Sequence, residues 1–557
     1  MLLRPSPSRR CSSRRSAAQN DVTHRLPAAL GSLRGSIRST PRKRNPLNRN
    51  FRALSATAAA VAITLALSGC AALFSTDAGP AESTPTNEQV SNDLDPFYSQ
   101  VLQWDDCGDG LQCTEATAPL DYADPAAGDV SLALVRHVAT GGDRVGSLLV
   151  NPGGPGGSGY DFIKDSLDFA TDATLQASFD VVGFDPRGVG RSSAVSCYDS
   201  ADMDEYIYGL TSAERGTDAW IAELAASSDA FAAACAEQTG PLLGTVDTQS
   251  AARDLDLLRA VLGDTHLNYL GFSYGTYLGA TYAKLFPEKV GRLVLDGAVD
   301  PSTSNFEVTK TQAVGFENAL RAYLTDCLAG EDCPFRGSVD SAMATIGALL
   351  ESVDNSPITA TDGRQLGGNA LLTAIIYPLY QATAWPQLST MLDSVLHGSA
   401  EAAFQFADAY NGRDDDGNYS DNSTESFMAI NCIDYAYNAD PTLMRAQAAE
   451  LEAAAPVIGK FMSFGDIGCA NWPYKFIGER SEIHAAGAAP ILVVGTTNDP
   501  ATPYVWAQQL AEQLDSGSLV TYAGEGHTAY NKSNSCVNDA VDSYLVDGIV
   551  PASDPQC

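Results

Sequence analysis

A series of short, uninterrupted apolar runs punctuates the chain: Gly146–Asn151 (GSLLVN), Phe179–Asp185 (FDVVGFD), Leu267–Gly271 (LNYLG), Arg292–Gly297 (RLVLDG), Ile491–Gly495 (ILVVG) and Ser518–Ala523 (SLVTYA). A strand with one face in water alternates apolar and polar residues, whereas a strand covered on both faces reads as a continuous apolar run. These runs therefore predict buried parallel strands. Between them, residues 249–262 and 275–286 place apolar side chains at helical spacing. Strands alternating with helices predict an α/β fold around a mostly parallel sheet.

The alternation stops near Pro301 and resumes near Pro490. The stretch between is rich in Ala, Leu and aromatic residues at helical spacing, with few strand-like runs. It reads as a mainly helical cap over 301–488, inserted between a first core segment, 95–300, and a C-terminal core segment, 489–557. Within the cap, Gly412–Ser423 (GRDDDGNYSDNS) has a loose likeness to a calcium loop. Gly and Ser stand at its first and last positions, where calcium needs acids, so a solvated acidic loop is expected.

The first 69 residues have a different character. Residues 1–52 are rich in Arg, Ser and Pro without apolar periodicity, and Ala53–Gly69 is an uncharged run ending LALSG before Cys70. A basic segment, an apolar stretch and small residues make a secretory signal peptide. Leu67-Ser68-Gly69-Cys70 resembles a bacterial lipobox, which makes Cys70 the expected lipidation site and mature N-terminus. An ordinary signal peptide or membrane anchor that happens to end in Cys is the alternative. Residues 70–94, polar with scattered Pro, Ser and Thr, read as a flexible tether.

Charge and cysteine content narrow the function classes. The 557 residues carry 34 Lys and Arg against 68 Asp and Glu, a net charge of −34, and much of the basic share lies in the leader. So acidic a surface repels phosphate backbones, which excludes a nucleic-acid partner, and it has no basic patch to hold anionic lipid. Membrane association is expected only through the N-terminal lipid anchor. Beyond Cys11 and Cys70, ten cysteines remain. An even number in an exported chain implies disulfides. Sequential pairing, Cys107–Cys113, Cys197–Cys235, Cys327–Cys333, Cys432–Cys469 and Cys536–Cys557, closes the shortest loops and is expected. No C-x-x-C pair or His cluster offers a metal site.

The candidate chemistry begins at Gly271-Phe272-Ser273-Tyr274-Gly275, which follows a predicted strand and opens a predicted helix. In that context G-x-S-x-G is a nucleophile turn, whose glycines permit the sharp bend that lifts the serine off the sheet. A serine needs a base, and beyond the leader the histidines are His137, His266, His397, His484 and His527. His527, in GEGHTAY just past the last predicted strand, can return to Ser273; His266 precedes the nucleophile strand at its far end. The orienting acid should lie between nucleophile and histidine in chain order. Asp499, in Thr497-Asn498-Asp499-Pro500 after ILVVG, is preferred over Asp296 at the end of RLVLDG. Thr502 and Pro503 read as the cap and first position of the following helix; steadying the acid loop is a second role open to Thr502, though capping alone explains it. For the oxyanion, one backbone N–H is expected from Tyr274 and the other from Gly154, in the glycine loop Asn151–Gly159 (NPGGPGGSG). That loop lacks the G-K-[ST] of a phosphate-binding loop. Asp185 and Arg187, in DPRGVGRS, are expected to hold their loop by hydrogen bonds and ion pairing.

The motifs NPGGPGGSG, DPRGVGRS, GFSYGTYLG, TNDPATP and GEGHT, in this order and with a long insert, resemble the secreted tripeptidyl aminopeptidases of actinobacteria. These are relatives of proline iminopeptidase with the α/β-hydrolase fold. The resemblance spans residues 95–557. It implies an α/β-hydrolase fold with a mostly parallel sheet and a large, mainly helical inserted cap. It also implies a serine exopeptidase that removes short peptides from free N-termini, with the cap restricting entry and no cofactor required. By motif position it carries Ser273, Asp499 and His527 as the triad, with Gly154 and Tyr274 as the oxyanion hole. One departure is Pro152, where proline iminopeptidases have His. The backbone donor survives this change; strict proline specificity does not follow.

Peptide or protein N-termini are thus the expected substrates. A free α-ammonium must be met by a carboxylate when it is desolvated, and the cap offers Glu425, Asp434, Asp466 and Glu482. Asp434 is preferred, because a disulfide at Cys432 would fix it and Tyr435 adjoins it. A carboxylesterase or lipase using the same triad is the alternative reading, and a non-catalytic peptide-binding lipoprotein the remote one.

Overall fold

The computed structural model describes residues 81–557, apart from Ile477 and Glu479. Its centre is a ten-stranded sheet. Four strands come first in the chain: β1 (Ala81–Glu82), β2 (Gln103–Gly108), β3 (Leu111–Pro119) and β4 (Asp129–His137). The apolar runs then form β5 (Gly146–Asn151), β6 (Phe179–Phe184), β7 (Leu267–Phe272) and β8 (Val290–Asp296). A two-stranded hairpin, β9 (Ile358–Thr359) and β10 (Gln365–Leu366), stands apart, and β11 (Ile491–Asn498) and β12 (Gly517–Glu525) complete the main sheet. The order is β1-β2-β3-β4-β6-β5-β7-β8-β11-β12. Pairing is antiparallel from β1 through β4 to β6 and parallel from β6 to β12.

The parallel strands are those predicted. Every residue of β5 and β6 is buried, as continuous apolar runs demand. Strands β1–β4 had no counterpart in the predicted elements. In β2 (QWDDCG) only Trp104 is buried, and β3 is partly exposed, so neither shows an apolar run. Residues 81–94, read as tether, instead pack on the core. Ala81 and Glu82 pair with β2, and the Thr86 N–H donates to the Ala260 carbonyl. Glu88 pairs with both Arg259 and Lys289 at 2.6 Å. Arg259, fully buried, donates Nε to Asp256 and Nη1 to the Asp264 carbonyl, which leaves Nη2 to be met by Glu88. The signal segment and Cys70 lie outside the described residues.

Between β8 and β11 the chain is mainly helical, with helices Asn305–Ala329, Val339–Asn355, Gly368–Leu379, Trp385–Leu396, Glu401–Asn411, Ser423–Asp434 and Pro441–Ala454. Much of this insert has its own apolar core, including Phe316, Tyr323, Ile346, Leu371, Leu392 and Phe404. Five disulfides form, in the sequential pairing expected. In the Gly412–Ser423 loop, Asp414 accepts the N–H groups of Asp416 and Asn418, so its carboxylate closes the turn.

Candidate active site

The parallel strands β7, β8 and β11 end at one edge of the sheet, and their C-terminal turns bring the chemistry together. β7 runs into Ser273, which has φ +55° and ψ −125° and precedes the helix Tyr274–Leu285. A non-glycine residue with positive φ is strained, as a nucleophile turn requires. Gly271 permits the turn: a Cβ there would lie 2.4 Å from the Gly275 carbonyl oxygen. The Ser273 N–H donates to the carbonyl of Asp296 (2.9 Å), the last residue of β8.

Asp499 follows β11 and is buried, and His527 follows β12. The His527 Nδ1 lies 2.9 Å and 3.0 Å from the two Asp499 carboxylate oxygens. This carboxylate is held firmly. It accepts the N–H groups of Ala501 (2.9 Å), Thr502 (2.8 Å) and Thr528 (3.1 Å) and the Thr502 hydroxyl (3.1 Å). Thr502 Oγ1 is also 3.2 Å from His527 Nδ1. The helix begins only at Tyr504, with Pro503 at its cap position, so Thr502 serves the acid rather than capping the helix. The helical insert reaches the same place: the Tyr380 carbonyl accepts the His527 N–H (2.8 Å), and its ring stands edge-on to the imidazole at 5.3 Å.

The glycine loop after β5 lies against the nucleophile turn. At Gly153 (φ +96°) a Cβ would lie 2.5 Å from the Phe272 carbonyl oxygen and 2.9 Å from Ser273 Cβ. Gly154 follows at φ +110°. Among the described residues, no protein acceptor takes the N–H of Gly154 or of Tyr274, which leaves both donors for an oxyanion. The loop is anchored from behind by buried Asp185, which accepts the Ser158 hydroxyl (2.6 Å) and the N–H groups of Tyr160 (3.0 Å) and Arg191 (2.7 Å). Arg187, fully buried, pairs with Asp254 at 2.6 and 2.7 Å and donates to the Pro119, Leu120 and Thr245 carbonyls.

Asp296, the alternative acid, makes no hydrogen bond to the imidazole. Its carboxylate accepts the N–H groups of Ala529 and Tyr530, and burial pushes its pKa up. Of the other histidines, His397 Nδ1 bonds to the Asp393 carbonyl, His484 Nδ1 to that of Gln513 and His266 to Thr265, while the buried Nδ1 of His137, on β4, has no hydrogen-bond partner among the described residues.

Asp434 is buried at the end of its helix, next to the Cys432–Cys469 disulfide. Its oxygens accept the N–H (3.0 Å) and hydroxyl (2.5 Å) of Thr248. That hydroxyl also bonds the Tyr274 phenol, so Asp434 is linked to the residue after Ser273. Burial raises its pKa to about 7. The other cap acids are committed: Glu425 to the Cys197 and Tyr198 N–H groups, and Asp466 to Asn305 and Asn438. Glu482 lies beside His484.

Fold and site together define an α/β hydrolase. Residues 146–344 match the alpha/beta hydrolase fold family, and residues 455–557 match the family described as TAP-like protein. The chain is 34% identical over 528 residues to "Serine protease Hip1" of Mycobacterium tuberculosis, covering 90% of this chain and 96% of that protein. It is 34% identical over 481 residues to "Carboxylesterase B" of the same organism, covering 83% and 91%. It is 32% identical over 479 residues to the "Tripeptidyl aminopeptidase" of Streptomyces lividans, covering 82% and 86%. The chain belongs to the TAP-like family of α/β-hydrolase serine hydrolases.

Proposed function

We propose that this protein is an exported serine exopeptidase that releases short peptides, of tripeptidyl type, from free N-termini. The observation that carries the reading is the Asp499–His527 pair at 2.9 Å, on the sheet edge that presents Ser273 in a strained turn. Ser273 Oγ attacks the scissile carbonyl while His527 Nε2 takes its proton; Asp499 keeps the other ring nitrogen protonated and oriented. The N–H groups of Gly154 and Tyr274 receive the oxyanion. His527 then gives the proton to the leaving amine, and water releases the acyl-enzyme by the same route in reverse.

Asp434 is the proposed partner of the substrate's α-ammonium. A carboxyl whose pKa burial raises to about 7 regains its charge when a cation is brought against it. Core segments 95–300 and 489–557 carry the chemistry, and the insert 301–488 restricts entry. The five disulfides fit an oxidising compartment, and among the described residues no helix is long and apolar enough to cross a membrane. Residues 1–69 are assigned as a lipoprotein signal peptide and Cys70 as the acylated terminus. Mass spectrometry of the mature protein checks this, and an unmodified terminus away from residue 70 would refute it.

A second reading, a carboxylesterase, is favoured by the similarity to Carboxylesterase B. Hydrolysis of tripeptidyl chromogenic amides beside short-chain aryl esters separates the two. Turnover of free-amine amides that is lost in Ser273→Ala supports the peptidase; turnover of esters alone selects the esterase.

A further inference from the structure

Asp296 lies at the crossing point of the site. It ends β8, between β7, which carries Ser273, and β11, which carries Asp499. Its main chain and side chain grip different parts. The carbonyl accepts the Ser273 N–H at 2.9 Å. The carboxylate accepts the Ala529 N–H at 3.0 Å and the Tyr530 N–H at 2.8 Å, two and three residues beyond His527.

The loop it grips is strained. Thr528 has φ +64° and Asn531 φ +58°, and neither is glycine. Such conformations persist only where the surroundings enforce them. The approach is also close: a Cβ on Gly297, which follows Asp296, would lie 2.8 Å from Thr528 Cγ2 and 3.3 Å from His527 Cε1. Side-chain size is thereby excluded where the β8 turn passes under the imidazole.

We propose that Asp296 is a positioning residue that sets the nucleophile turn and the histidine loop relative to each other. The inference rests on the triad reading given above. Asp499 orients the ring from Nδ1; Asp296 acts through the two turns it joins.

Burial pushes the Asp296 carboxyl up, and the nearby Lys532 ammonium opposes that effect. Lys532 in turn donates to the Thr528 hydroxyl and lies over the Phe169 and Phe272 rings at 4.6 and 4.9 Å.

Asp296→Asn keeps the shape but turns one accepting oxygen into an amide NH2. Expected is a fall in kcat of roughly 10- to 100-fold with KM within about twofold. A merely structural aspartate would alter folding yield or thermal stability and leave the kcat of the folded enzyme in place. Wild-type kcat overturns the inference. A measurement on the wild type guards against a variant that does not fold. The Ala529 and Tyr530 amide protons should resist exchange throughout the active pH range; exchange as fast as an exposed loop overturns the clamp. Ser273→Ala separates the two levels of argument. If it retains turnover, the triad reading fails. If it is inactive while Asp296→Asn behaves as wild type, only the role of Asp296 fails.

Discussion

At the scale of single residues, the site is a set of carboxylates with different work. Asp499 receives four protein hydrogen bonds besides its contact with His527, enough to hold its orientation through a catalytic cycle. Ser273→Ala and His527→Ala are expected to lower kcat by roughly 10⁴-fold or more, and Asp499→Asn by roughly 10⁴-fold, with circular dichroism unchanged. Asp434 titrates in a range that kinetics can reach, with its pKa raised to about 7. Below that value the free enzyme holds it neutral, so its attraction for an ammonium fades as pH drops. The ratio of kcat/KM for free-amine over N-blocked substrates should fall below about pH 7, and be flat in Asp434→Asn. The sign for stability also follows. The folded state keeps a proton that the unfolded chain releases near pH 4, so this group destabilises the fold as pH rises from about 4 to 7. Melting temperatures of wild type and Asp434→Asn should diverge across that interval in the variant's favour.

At the scale of elements, the turns after β7, β11 and β12 depend on close backbone approach. Gly526 has φ +101°, and a Cβ there would lie 3.0 Å from the Tyr380 carbonyl oxygen. Gly526→Ala should therefore cost about 1–3 kcal/mol in chemical denaturation and reduce kcat, because the displaced loop carries His527. The central strands were legible because burial on both faces leaves only apolar residues, and Ser273 because its motif stood between a strand and a helix. The antiparallel strands β2 and β3 were not. Water reaches much of β2, so QWDDCG carries charges and resembles a loop. Thr before Pro has the local signature of a helix cap, which alone accounts for Thr502 in the sequence; of its two readings the fold selects the bond to Asp499. The grip of Asp296 on the histidine loop spans 233 residues, a separation no local pattern encodes. The neighbouring Cys432 and Tyr435 single out Asp434 in the sequence, but its link through Thr248 to Tyr274 is tertiary.

At the scale of the whole molecule, the N-terminal segment is part of the folded body from residue 81 onward. Glu88 joins it to two cations on the core, and one of them, Arg259, is fully buried. Glu88→Ala should lower stability by about 1–3 kcal/mol, read as a shifted denaturation midpoint, without changing KM. The hydrogen bond from the His527 N–H to the Tyr380 carbonyl has a wider consequence. The helical insert thus supplies one of the fixed points of His527, so under the proposed mechanism the part that restricts entry also holds the base. Grafting an insert from another hydrolase onto this scaffold would have to reproduce a carbonyl at that point, to within a few tenths of an ångström. The bond is made by main chain, so it places no demand on which amino acid stands at position 380. For this bond alone a transplanted insert needs only a backbone that passes through one place, whereas the proposed grip on an α-ammonium would still need a carboxylate where Asp434 stands.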